Sequence, residues 1–197
     1  DRGKQRQALN IGQKIGTFFN WCVDDDLIEV SPYRAKKVRA KIGKKESRRR
    51  VLSDAELRAF WRATEKLGPV YQQVYRLLLL TGQRLNDIAQ AERSELDRAA
   101  RAIIIPAARY KSDRNHFVPL SADALDVANE LPMWTGKGPL CSLDGRHSVT
   151  IGNKIKQRLD AAMLAELQKE DPESVLPPWV NHDLRRTVRT RLSALRV

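Results

Sequence analysis

Cysteine is scarce in this chain: 197 residues hold two, Cys22 and Cys141, far apart. That excludes a zinc motif built on paired thiols and argues against a disulfide framework. The three histidines, His116, His147 and His182, are scattered and complete no metal motif. Both cysteines are expected to be inert, buried thiols in a reducing cytoplasm. Long apolar runs are missing too. The longest aliphatic one, Leu77 to Leu80, is far too short to span a bilayer. The start, Asp1-Arg2-Gly3-Lys4-Gln5, is polar and lacks the apolar stretch of a signal peptide. It also lacks an initiator methionine, so the chain is expected to be a piece of a longer protein.

Acid is in short supply as well. There are 24 Asp and Glu against 36 Lys and Arg, a net charge of +12 with a pI near 10.0. An acidic polymer is therefore the leading class of partner, although a ribosomal or membrane-surface habit would account for the same surplus. What is present suits a globular protein: 42% hydrophobic and 30% charged residues, enough for one packed domain and an appendage. The charge is not spread evenly. From Arg34 to Arg50 there are ten Lys or Arg and one acid, Glu46, a net +9 in seventeen residues. A solvated linker between domains is the plain reading; a tether lying along a phosphate backbone is the functional one. Lys44, Lys45, Arg48, Arg49 and Arg50 are its candidate contacts.

Apolar spacing divides the chain. Ala8, Ile11, Ile15, Phe18, Phe19 and Cys22 recur at helical intervals, and Asp24-Asp25-Asp26 ends that helix as a solvated turn rather than a metal site. Such a helix cannot bury its apolar face alone, so it is expected to belong to a larger helical domain. A second domain opens at Ser53-Asp54-Ala55-Glu56, a capping box, and its first helix stops at Gly68-Pro69. The next helix starts near Val70 and ends at Thr81-Gly82; Tyr71 and Tyr75 on it read as core packing. After Gly82, Arg84 and Asp87 share the face of a short helix, where the plain reading is a weak surface ion pair.

The period then shortens. Ala102 to Pro106, Tyr110-Lys111 and His116 to Pro119 read as strands, with Ser112 to Asn115 as a hairpin turn. Ser121 caps a helix ended by Pro132, residues 136–145 are loop, and Ser148 to about Leu167 reads as a long helix followed by a polar loop from Gln168 to Ser174. Last, Leu176-Pro177-Pro178-Trp179 refuses helix, and a helix begins near Asn181, an N-cap type. His182 and Arg185 lie on one side of it beside an apolar stripe of Leu184, Val188, Leu192 and Leu195. An imidazole and a guanidinium at the positive end of a helix make a seat for a phosphate.

Four cationic groups thus stand in order: Arg84, Lys111, His182 and Arg185. Thr81-Gly82-Gln83-Arg84-Leu85-Asn86-Asp87 resembles the first arginine motif of the tyrosine recombinases, the phage integrase family. Lys111, followed by Val118-Pro119-Leu120-Ser121, resembles that family's hairpin lysine and the strand after it. His182-Asp183-Leu184-Arg185-Arg186-Thr187 is similar to its second arginine motif. The likeness runs from about Val51 to Val197, and residues 8–32 resemble the end of the DNA-clamping helical domain that precedes the catalytic one.

The resemblance implies a mainly α fold with a small antiparallel β-sheet: residues 1–33 as the last helices of the clamping domain, 34–50 as a basic linker, and 51–197 as a C-terminally incomplete catalytic domain. It implies a site-specific DNA recombinase of a prophage or genomic island, cutting through a 3′-phosphotyrosine without metal or nucleotide cofactor. Arg84 and Arg185 would clamp the phosphate, Lys111 would protonate the 5′-oxygen, and His182 would assist proton transfer or hydrogen-bond the phosphate. Asp87, where the family more often has Glu, would orient the site.

The family's tyrosine follows the second arginine motif, whereas Tyr33, Tyr71, Tyr75 and Tyr110 all precede it. No nucleophile is assigned, and the chain by itself is expected to bind DNA without cutting it. A DNA-binding relic of an integrase is the alternative. The complete protein is expected to be a tetramer on double-stranded DNA in a bacterial cytoplasm, and this piece a monomer.

Overall fold

The computed structural model describes residues 2–43, 49–110 and 114–195. The backbone forms two compact units, Asp1–Arg49 and Arg50–Val197. Among the described residues the architecture is mainly α with one small antiparallel sheet, the class the sequence indicated. No described helix is long and apolar enough to cross a membrane.

In the first unit α1 (Arg2–Asp24) packs on α2 (Ala35–Ile42). The chain leaves α1 through amides of Leu27 and Ile28 that donate to the Cys22 carbonyl, with Asp26 at φ +56° in the turn. The expected apolar stripe is only partly used. Cys22 is buried, but Ile11, Ile15 and Phe18 stay exposed. The inward face is made by Gly12 and Gly16, where an added Cβ would come within 2.7 Å of the Tyr33 side chain. Helix α2 falls inside the basic run, and it ends at Gly43, whose amide donates to the Arg39 carbonyl.

The second unit opens with α3 (Asp54–Thr64). Ser53 Oγ accepts the Glu56 amide at 3.2 Å and Glu56 returns a carboxylate to the Ser53 amide at 2.7 Å, so two otherwise orphaned donors are satisfied. A 3-10 turn and Gly68 lead to α4 (Tyr71–Thr81), which packs against α3 and against three later helices, α5 (Leu85–Ala89), α6 (Ala122–Asn129) and α8 (Asn181–Ala194). Helix α7 (Asn153–Glu170) covers α3. The sheet has order β1-β2-β3 (Leu96–Asp97, Ala102–Ile105, His116–Pro119), with Ile103 opposite Val118 and Ile105 opposite His116. Phe60, Tyr75, Leu77, Ile103, Met163 and Leu184 meet in one core.

Several boundaries differ from expectation, each for a local reason. Tyr110 is not on a strand: after Pro106 the chain makes a tight turn in which the Tyr110 amide donates to the Pro106 carbonyl at 3.0 Å. The β2–β3 connection is closed instead by Asn115, whose side-chain oxygen takes the Ala107 amide at 3.0 Å. Helix α7 begins at Asn153, not Ser148, because Ser148 bridges to Ser142 and the Val149 amide donates to the Cys141 carbonyl. It runs on to Glu170, three residues into the stretch expected to be loop, and residues 171–174 are loop as expected. The two-residue β1 has too few positions to show an alternation in sequence. The stripe of α8 is buried only at Leu184, while Leu192 and Leu195 are exposed.

Cys141 is buried in the core and its thiol is pushed up to about 12 by desolvation. Iodoacetamide at about pH 8 is therefore expected to leave Cys141 unmodified in the folded protein and to alkylate it in concentrated guanidinium. Rapid modification of the native protein, read by peptide mass spectrometry, would contradict the packing described.

Candidate active site

The site begins where α4 ends. Gly82 adopts φ +61° and its amide donates to the Leu78 carbonyl at 3.0 Å, the left-handed stop that glycine provides without a Cβ penalty. Two residues later the chain restarts as α5, with Arg84 at its N-cap position. Asp87, on the first turn, accepts both the Arg84 amide and the guanidinium Nη1, each at 3.4 Å. The carboxylate is largely buried, at 11% side-chain exposure, while the Arg84 side chain is 40% exposed. Asp87 therefore steadies the base of a guanidinium that still faces outward. Contact with Tyr110, chiefly, and with Asp87 raises the Arg84 pKa further above its already high value.

The second half comes from α8. Trp179 is buried edge-on against Phe60 and carries the Lys156 ammonium 3.8 Å over its ring, which fixes the approach to the helix. Asn181 is the first helical residue rather than the cap. The cap position falls on Val180, whose amide donates to Asp183 at 2.9 Å, and Asn181 accepts the Tyr75 hydroxyl at 3.3 Å. Asp183 is fully buried and ion-paired with Arg186. Thr187 is also buried, donating to the Asp183 carbonyl and accepting the Leu52 amide. With Asp183, Leu184 and Thr187 turned inward, His182 and Arg189 face solvent and Arg185 is half-buried.

Arg185 reaches back across the fold. Its Nη1 donates to the Gly82 carbonyl at 2.5 Å, which sets this guanidinium against the turn that presents Arg84. A cavity of about 300 Å³ lies along the outer face of α8, lined by His182, Arg185, Arg186, Arg189, Thr190 and Ser193. Its four basic side chains, of which His182 lies in the first turn of the helix, favour an anion with several oxygens. A larger cavity, about 650 Å³ between α1 and α2, has only Tyr33 and Arg39 as chemically active groups.

Arg84, Asp87, His182 and Arg185 are thus gathered at one end of the second unit. Lys111, Lys44, Lys45 and Arg48 lie outside the described residues. Arg49 is exposed, but the Arg50 guanidinium is committed to the Glu56 carboxylate and the Val51 carbonyl. Sequence reading missed Arg189, although its spacing of four from Arg185 marks the same helical face. It also missed Arg109, which pairs with Glu95 and donates to the Asn86 and Asp87 carbonyls at 3.2 Å, bracing α5 from below. No sequence signal marks that contact.

Residues 50–195 match the model of the phage integrase family. The chain belongs to that family. It is 27% identical over 131 residues to the prophage integrase IntZ of Escherichia coli strain K12, a match covering 66% of this chain and 32% of the relative. This integrase-family chain therefore spans about a third of that relative's length. Among solved structures it is similar to a lambda integrase dimer bound to a core site, with TM-score 0.69 and 19% identity over 100% of this chain and 70% of that one. The Tn1549 transposon integrase in complex with transposon right-end DNA gives TM-score 0.64 and 16% identity, covering 95% and 66%. XerA recombinase gives 0.54 and 18%, covering 94% and 70%. At these identities the structures show the shared fold of the tyrosine recombinases.

Gly82 is the tightest point of the site, since a Cβ there would also fall 2.9 Å from Val188 Cγ1. Gly82→Ala is expected to cost about 1–2 kcal/mol in backbone strain alone. The melting temperature should fall by roughly 2–8 °C. A midpoint unchanged to within about a degree in a thermal melt would show that the turn has room for a side chain.

Proposed function

We propose that this chain is the catalytic core of a site-specific DNA recombinase, the integrase of a prophage or genomic island, which breaks and rejoins strands through a 3′-phosphotyrosine. The observation that carries the proposal is the Arg185–Gly82 hydrogen bond, which sets the second guanidinium beside the turn bearing the first. DNA as the partner is supported by the basic run, by the cationic face of α8, and by the DNA-bound state of the lambda and Tn1549 integrases.

The chemistry follows from the residue types. Breaking a phosphodiester without a metal calls for charge stabilisation on the non-bridging oxygens. Two guanidiniums approaching from α5 and α8 supply it in a fixed, forked geometry that lysines would not match. His182, one turn before Arg185, hydrogen-bonds the phosphate or shuttles a proton. Lys111 is assigned as the acid for the 5′-oxygen, and Asp87 orients Arg84 without reacting. The nucleophile is assigned to none of the four tyrosines: Tyr75 is buried, Tyr71 packs on the core, Tyr33 packs against α1, and Tyr110 lies flat on His116. The 197 residues alone are expected to bind DNA without forming a covalent adduct. Residues 1–33 are assigned to the end of a clamping domain, and the intact protein is proposed to act as a tetramer on duplex DNA in the bacterial cytoplasm.

In the full-length protein, Arg84→Ala or Arg185→Ala is expected to slow adduct formation on nicked duplex by about 10²-fold or more. Duplex affinity should change far less. Adduct at the wild-type rate in either variant would sink the assignment. Neutralising Lys44, Lys45, Arg48 and Arg49 together should lower the slope of log K against log salt by about 0.9 per lost phosphate contact. Arg50 is left out because Glu56 holds it. An unaltered slope in fluorescence-anisotropy titrations would mean that the run touches no phosphate.

A further inference from the structure

The Arg84 guanidinium is held on its outward side by more than Asp87. Its Cζ lies 5.4 Å from the centroid of the Tyr110 ring, within reach of a cation–π attraction. The same ring stacks on His116, with centroids 4.2 Å apart and planes 10° from parallel. His116 Nε2 in turn meets Gln83 Oε1 at 3.0 Å, and Gln83 is the chain neighbour of Arg84. The four residues form a closed circuit: Gln83 to Arg84 along the backbone, Arg84 to Tyr110, Tyr110 to His116, and His116 back to Gln83. It joins the turn between α4 and α5 to both ends of the β2–β3 connection.

We propose that Tyr110 is a positioning residue for Arg84, keeping the guanidinium in the one rotamer that faces the scissile phosphate. This rests on the recombinase reading above. The need for such a holder is physical. Arg84 has a long, partly exposed side chain, and its contacts with Asp87 are at the outer limit of hydrogen-bond length. A flat ring backed by a second flat ring offers a rigid wall with little freedom of its own. Arg109, one residue earlier, anchors this wall to Glu95 and to the α5 carbonyls. Displacing a phosphate clamp by a fraction of an ångström disturbs the transition state far more than it disturbs DNA binding.

The test uses the full-length protein and nicked duplex, measuring single-turnover adduct formation and DNA affinity separately. Tyr110→Ala is expected to slow adduct formation about 10–100-fold, with affinity changed less than about twofold. Tyr110→Phe should recover most of the rate, because the flat ring remains. Tyr110→Leu, apolar but unable to stack or to attract a cation, should stay close to the alanine variant. Thermal melts confirm that each variant folds, as expected for a half-buried side chain in a turn. A wild-type rate for Tyr110→Ala, or a leucine variant as fast as the phenylalanine one, overturns the proposal. Arg84→Ala is run alongside. If it is inert while Tyr110→Ala is fully active, only the positioning role fails; if Arg84→Ala also cleaves normally, the recombinase reading fails with it.

Discussion

The second unit depends on the burial of α4. Val74, Tyr75, Leu77 and Leu78 on it are excluded from water, and helices α3, α5, α6 and α8 all lie against it. At about 1.5–3 kcal/mol for each large apolar side chain removed from water, these four contribute a large share of what holds the fold. The site sits at the end of this helix, at Gly82, rather than on a free surface loop. The position of Arg84 is therefore fixed by the end of a buried helix, and Arg185 is aimed by a hydrogen bond to that backbone. The geometry needs no side chain at residue 82, since Val188 occupies the space a Cβ would take.

The charges around this point are arranged unequally. Several partly buried cations are matched: Arg186 by Asp183, Arg109 by Glu95 and Arg50 by Glu56. On the outer face of α8, His182, Arg185 and Arg189 line a cavity with Arg186, and among the described residues no acidic side chain contributes to that lining. The folded protein thus carries like charges close together and gains stability when an anion occupies that face, because a ligand that binds only the folded state stabilises it by mass action. That asymmetry, rather than the total of +12, is what favours a phosphate backbone over a general affinity for acidic surfaces.

Much of this was legible in the sequence, and the unread parts share a cause. The capping box at Ser53, the stop at Gly82 and the Arg84–Asp87 pair are local, so spacing within four residues revealed them. The family resemblance rested on three such local motifs. What spacing could not show were contacts between distant segments. Arg185 on Gly82, Arg109 on α5 and Arg84 over Tyr110 join residues whose chemistry in isolation is that of ordinary surface side chains. Tyr110 itself favours a strand and lies between two β-rich runs, but the turn after Pro106 overrides that preference. Ser148 is a good N-cap type, but it bridges to Ser142 and the next amide donates to Cys141, so α7 starts later than its spacing suggests. In α1, periodicity located the helix but not the glycine face that takes Tyr33.

The hydrogen bond between Arg185 and Gly82 spans 103 positions of the chain. On a ribosome adding about 5–20 residues per second, Arg84 emerges roughly 5–20 s before Arg185. Throughout that interval the growing polypeptide carries Arg84 without Arg185. The contact between Arg185 and Gly82 cannot form until α8 has been made and has docked on α4, so a half-synthesised chain lacks the pair of guanidiniums on which the proposed phosphate seat depends.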